Sequence, residues 1–201
     1  MKVWIVSRTK MAGGRRCIGG LAANGDSVRL LTETGGNHDA DSPLQIGQIW
    51  DVQYQPRPNV TPPHIEDVLV SAQKLLMRCS DLRALLLKRI EPWEGSIYQL
   101  FDKLVRFTGN NNGYVSKECG VPDYSTGFWI PDCDLNLRND RKHYDYSHGL
   151  YSGGLSYVGE PKPEKVLAAG TLIRVSLARW WKPSDSDIEE RCYLQLSGWY
   201  D

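Results

Sequence analysis

The chain of 201 residues carries 24 basic and 24 acidic side chains, so its formal net charge is zero and the molecule as a whole exerts no long-range pull on polyanions. With 41% hydrophobic residues it can bury either one large β core or two small ones. Cys17, Cys79, Cys119, Cys133 and Cys192 form no CxxC pair and are odd in number, which argues against a disulfide framework and suits reduced thiols in a cytoplasm.

Residues 2 to 32 hold the sharpest local pattern. Lys2 to Ser7 reads as a strand with Val3 and Ile5 on one face and Trp4 and Val6 on the other, as expected where both faces are buried. This run is too short, and too soon interrupted by Arg8 and Lys10, to be a signal peptide. No stretch approaches the roughly 20 apolar residues of a membrane span. A soluble cytoplasmic protein with no membrane partner is therefore expected. Arg8, Lys10, Arg15 and Arg16 surround Gly13-Gly14, where the backbone can bend sharply or come close to a ligand. A second strand runs through Cys17, Ile18 and Leu21, turns at the hairpin signal Asn24-Gly25 and returns as Ser27 to Thr32. The segment sets Lys2, Arg8, Lys10, Arg15, Arg16 and Arg29 against Asp26 alone, which makes it a candidate anion-binding surface.

Farther along, Leu44 to Gln55 has strand composition, and Pro56, Pro58, Pro62 and Pro63 predict an exposed, stiff loop. His64 to Leu76 is expected to form a further strand. Ser80 is a candidate N-cap for a helix carrying Leu82, Leu85, Leu86 and Arg89. A second helix is expected over Ser96 to Phe107, where Ile97, Leu100, Phe101, Leu104 and Val105 recur at helical spacing. The helical pair reads as a joint between two β units. From Lys117 to Ser156 turn residues dominate and a long loop is expected, of the kind compact domains keep for function. Leu172 to Trp181 and Cys192 to Tyr200 alternate as strands, with the acidic stretch SDSDIEE between them as a solvated hairpin connection.

Motifs for chemistry fail one by one. Gly14 and Gly19 have GxxxxG spacing, but Gly20-Leu21 stands where a phosphate loop needs lysine and a hydroxyl residue. Gly154-Leu155-Ser156-Tyr157-Val158 lacks the closing glycine of a nucleophile elbow. His143, Asp145 and His148 are the one histidine and carboxylate cluster, but Arg141 and Lys142 beside them disfavour a cation, and the simpler reading is a polar loop. Cys17 follows Arg15 and Arg16, whose charges would activate a thiol; the simpler reading is a small core residue. Trp4, Trp50 and Trp181 are expected in the core rather than as stacking platforms. What survives is the basic loop, with Arg8, Lys10, Arg15, Arg16 and Arg29 as phosphate contacts and nearby aromatics as stacking faces for bases.

Several segments resemble a known family. They are Ser7-Arg8-Thr9-Lys10, Gly13-Gly14-Arg15-Arg16-Cys17-Ile18-Gly19-Gly20 and Val28-Arg29-Leu30 in front, and Ser176-Leu177-Ala178-Arg179-Trp180-Trp181 with Arg191-Cys192-Tyr193-Leu194-Gln195-Leu196-Ser197-Gly198-Trp199-Tyr200 at the end. The chain resembles the bacterial dual-OB domain proteins. That resemblance implies a mainly β fold of two OB-like barrels and an association with prokaryotic conflict or anti-phage systems. OB barrels bind oligonucleotides or other ligands on one face. The expected layout is a first barrel over 1–78, a short helical connector over 79–107 and a second barrel over 108–201. The expected function is a non-enzymatic nucleic-acid-binding or nucleotide-sensing module, with no cofactor, no metal and no catalytic residue. Two other readings stay open: an interaction or scaffold subunit of a defence complex that holds a partner protein, and a nucleotide-acting enzyme built on the His143 to His148 loop.

Overall fold

The computed structural model describes residues 1–184 and 187–201. The chain divides into two compact units, Met1–Ile90 and Glu91–Asp201, and the fold is mainly β.

In the first unit five strands close into a barrel. They are β1 (Lys2–Lys10), β2 (Arg16–Ala22), β3 (Ser27–Leu31), β4 (Gln48–Pro56) and β5 (Asp67–Arg78), in the order β1-β2-β3-β5-β4. Neighbours are antiparallel except β3 and β5, which run parallel. This is the OB arrangement. Alternation in the sequence dictates the core: Val3, Ile5, Ile18, Ala22, Val28, Leu30, Trp50 and Val52 point inward. Trp4 and Val6, on the other face of β1, are also buried, as a strand apolar on both faces requires. β1 serves two partners, pairing through residues 2–4 with β4 and along its length with β2. A register shift between Ile5 and Ser7 lets it bend from one to the other. Gly20 sits where a Cβ would run into the Val3 side chain and come within 3.2 Å of Val28, so the close approach of β1 to β2 depends on it.

β5 begins three residues later than expected from the sequence and runs to Arg78. Only Asp67 to Leu69 pair with β3, whereas the pairing with β4 continues to Arg78. Helix α1 (Leu82–Leu87) follows, capped by Asp81, whose carboxylate accepts a 2.8 Å bond from the Ala84 amide. Asp81 takes the place expected of Ser80.

The second unit is a ten-stranded sheet of β6 (Trp93–Gly95), β7 (Arg106–Phe107), β8 (Gly113–Ser116), β9 (Thr126–Pro131), β10 (Leu135–Leu137), β11 (His143–His148), β12 (Tyr151–Tyr157), β13 (Val166–Leu167), β14 (Leu172–Leu177) and β15 (Arg191–Tyr200). β12 pairs in parallel with β15, β15 with β14, β14 with β9, and β12 with β11, which pairs with β10. β9 and β10 are consecutive in the chain. Treated as one bent strand broken at residues 132–134, they reproduce the pairing order of the first barrel. The core includes Trp129, Tyr144, Tyr146, Leu155, Ile173, Val175, Leu194 and Leu196.

Several expectations are corrected here. Residues 96–107 do not form one continuous helix: a short 3-10 turn over Ile97–Gln99, capped by the Ser96 hydroxyl accepting from the Tyr98 amide, runs into an irregular turn over Leu100–Lys103. Phe101, Asp102 and Lys103 take φ values of 48°, 56° and 68°, a left-handed turn, and β7 follows. The apolar spacing was real, since Ile97, Leu100, Phe101 and Val105 are all buried, but an irregular turn satisfies it. Helix α1 lies within the first unit and residues 91–107 within the second. The long loop expected over 117–156 holds four strands, β9 to β12. The acidic stretch SDSDIEE includes residues 185 and 186, which lie outside the described residues.

Candidate nucleic-acid interface

The loop between β1 and β2 is built by its glycines. Gly13 and Gly14 have φ of 68° and 73°, and a Cβ on either would meet nothing within 4 Å, so they serve the backbone rather than packing. The Met11 amide donates to the Arg15 carbonyl at 3.0 Å and closes the loop. At its base Arg16 and His38 exchange backbone hydrogen bonds of 2.8 and 3.1 Å, which join residues 37–39 to the loop. Burial lowers the His38 pKa, favouring the neutral imidazole.

The five basic residues singled out in the sequence have different surroundings. Arg8 is 2% exposed, and its guanidinium donates to the carbonyls of Ala40, Ser42 and Leu44 at 2.9, 3.1 and 2.5 Å. It anchors the 40–44 segment beside the loop. Arg29 forms a two-pronged pair with Asp67 at 2.5 and 2.6 Å, and Asp67 is 3% exposed. The two residues face each other across the parallel β3–β5 seam, and Arg57 reaches the same carboxylate at 3.5 Å. Lys10 and Arg15 are exposed and Arg16 is half-buried. Arg15 lies 2.6 Å from Asp39, a pair open to solvent on both sides. The Arg16 guanidinium donates to the carbonyls of Gly14 and Arg15. The loop therefore presents Lys10, Arg15 and Arg16, with Asp39 drawing on part of that charge.

In OB barrels ligands lie across strands two and three and between the loops that join strands one to two and four to five. Here Gly19, Leu21 and Leu31 on the outer face of β2 and β3 are buried and Cys17, Ser27 and Arg29 are half-buried, so that face is largely covered and the basic loop is the more open part of the region. Stacking partners are scarce beside it. The first unit holds three aromatic residues, of which Trp4 and Trp50 are each 6% exposed and Tyr54 packs against the core.

Exposed rings belong to the second unit. Trp181 is 53% exposed, not in the core as its alternation predicts, because the strand pairing of β14 stops at Leu177 and only an isolated bridge to Arg191 holds it. Its ring lies 6.0 Å from Tyr193, which lies 6.3 Å from Tyr114, and the Arg191 guanidinium sits 4.0 Å over Tyr114. Nothing in the sequence beyond the aromatic count pointed to this ladder, since its members lie on three separated segments.

His143, Asp145 and His148 do not converge. They lie on β11, where alternation sends His143 and Asp145 to one face and His148 to the other. Each has its own partner: Asp140 for His143 at 2.6 Å, Arg138 for Asp145 at 2.7 Å and Asp132 for His148 at 3.2 Å. Among the described residues no group of three histidine, cysteine or acidic side chains is placed to hold a metal ion. Cys17 is half-buried on β2, and the five thiols are free.

The family described as the Dual OB-containing domain matches residues 1–199. The chain belongs to that family. No curated protein and no solved structure matches it. The match spans both units of this dual-OB chain, so the β9-to-β15 sheet with its broken first strand falls within the domain, as does the closed barrel. No helix among its described residues is long and apolar enough to cross a membrane.

Proposed function

We propose that this dual-OB chain is a non-enzymatic module that binds single-stranded nucleic acid through phosphate contacts from Lys10, Arg15 and Arg16. The observation that carries the reading is the placement of these cations on the loop joining strands one and two of a closed OB barrel, a loop such barrels use for ligands. Arg8, buried and held by three carbonyls, and Arg29, paired with buried Asp67, support the barrel, whereas Lys10, Arg15 and Arg16 reach solvent even where they also bond Asp39 or loop carbonyls. With few rings near the loop, the contact reads the backbone rather than bases. A cytoplasmic role in a bacterial anti-phage or conflict system is the setting the family resemblance suggests. A nucleotide-acting enzyme built on His143 to His148 has less support, because the three side chains engage separate partners.

The test is fluorescence anisotropy with a labelled single-stranded oligonucleotide at low and moderate salt, comparing the parent with Arg15→Ala plus Arg16→Ala. Binding that weakens with salt and is lost in the variant supports the reading. No binding at low salt, or equal binding by both proteins, refutes it.

A further inference from the structure

The end of β5 has a different character from the rest of the first barrel. From Ser71 to Arg78 every residue is exposed, although all but two of them are in register with β4. β3 leaves β5 at Leu69, so from there on the opposite edge of β5 has no strand beside it among the described residues. That edge presents a row of backbone donors and acceptors able to template another strand. It also carries Leu75, Leu76 and Met77, exposed at 46%, 44% and 61%, a run of three apolar side chains in solvent. Isolated exposed leucines need no explanation, but three in succession on an open edge form a docking feature.

Charge indicates what docks there. Lys74 and Arg78 flank the apolar run, and no acidic residue occurs from Val68 to Ser80. In an antiparallel pairing with a second copy, cations would face a strand with no carboxylate, and the register that sets Lys74 against Arg78 is directly repulsive. The register shifts around Ser71 and Leu76 twist the edge further from flat self-association. Lysine and bulges on an edge work against indiscriminate pairing, and a selective edge of this kind accepts a strand of opposite charge.

We infer that residues 71–78 form a β-augmentation site for an extended acidic segment of a partner protein, one that alternates apolar residues with Asp or Glu. Main-chain hydrogen bonds along β5 supply the affinity, Leu75, Leu76 and Met77 pack against the apolar positions, and Lys74 and Arg78 select the charge. The site stands apart from the basic loop and does not depend on nucleic-acid binding.

The probe is an eight-residue peptide of alternating Glu and Val, N-methylated on one edge so that it cannot stack on itself, with a Lys-Val peptide as control. Amide hydrogen exchange read by NMR reports which backbone groups become protected. The acidic peptide is expected to protect amides within Ser71–Arg78 and the basic one to leave them exchanging. Lys74→Glu plus Arg78→Glu changes two exposed side chains and is expected to weaken acidic-peptide binding about ten-fold while admitting the basic peptide. The inference is overturned if neither peptide protects these amides, if both do so equally, or if protection falls elsewhere. It is also overturned if light scattering shows a dimer whose 71–78 amides are already protected, or if a single-stranded oligonucleotide protects them better than the acidic peptide.

Discussion

Replacing Arg15 and Arg16 together by alanine tests the phosphate-contact reading in quantitative form. Each phosphate neutralised on a single strand adds about 0.7 to the slope of log K against log salt. Contacts from Lys10, Arg15 and Arg16 therefore give a slope of about −2.1, and raising salt from about 50 to about 200 mM weakens binding about 18-fold. The double variant keeps Lys10 alone, with a slope of about −0.7 and a change of about 2.6-fold over the same range. At about 0.1 M salt its affinity falls about 25-fold below the parent. The Arg15–Asp39 pair does not prevent this. At 2.6 Å but exposed on both sides, such a pair is worth about 0–1 kcal/mol, so Asp39→Asn should tighten binding by no more than about five-fold. The assay is anisotropy of a labelled oligonucleotide across a salt series. A parent slope shallower than about −1, or one unchanged in the double variant, refutes the assignment.

Arg8→Met keeps much of the side-chain volume but strands the carbonyls of Ala40, Ser42 and Leu44. Stability in urea should fall by about 3–5 kcal/mol, and a loss under about 1 kcal/mol contradicts a structural role. Gly20→Ala drives a methyl into Val3 and should cost about 1–3 kcal/mol by overpacking, read from the same urea transition; an unchanged midpoint would show that β1 and β2 can part without penalty. Cys192 is fully buried, and burial pushes its thiol up to about 12. At mildly alkaline pH it stays protonated, so iodoacetamide followed by mass spectrometry should label Cys17, Cys79, Cys119 and Cys133 well before Cys192. Early labelling of Cys192 contradicts this packing.

The strands written as alternating β-branched and apolar residues were legible: β1, β2, β3 and β15 follow their pattern, and the strand expected over Leu172 to Trp181 follows it as far as Leu177. The middle third was not, for reasons visible in its side chains. β11 buries tyrosines, Tyr144 and Tyr146, between polar neighbours, so its sequence HYDYSH reads as a polar loop. β12 contains Gly153 and Gly154 because the Phe107 ring and the Arg138 guanidinium fill the space where their Cβ atoms would lie; glycines required by packing look like turn glycines. The basic loop was found from charge and glycine content. The division of labour within it was not, because Asp67 lies 38 positions from Arg29 and the carbonyls held by Arg8 leave no trace in residue type. The exposed β5 edge escaped for a similar reason, since Leu75, Leu76 and Met77 look like core residues until the strand outruns its neighbour.

The parallel seam sealed by Arg29 and Asp67 also sets an order of events. β1, β2 and β3 join through local hairpin pairings, which form quickly because little chain must be closed. The barrel itself cannot shut until Asp67 has been synthesised and brought back to Arg29. During that interval the free edge of β3 stands open and the guanidinium waits in water. Closure of this seam and the pairing of β1 with β4 are the non-local steps of the barrel, so variants of Asp67 should slow folding as well as weaken the folded barrel.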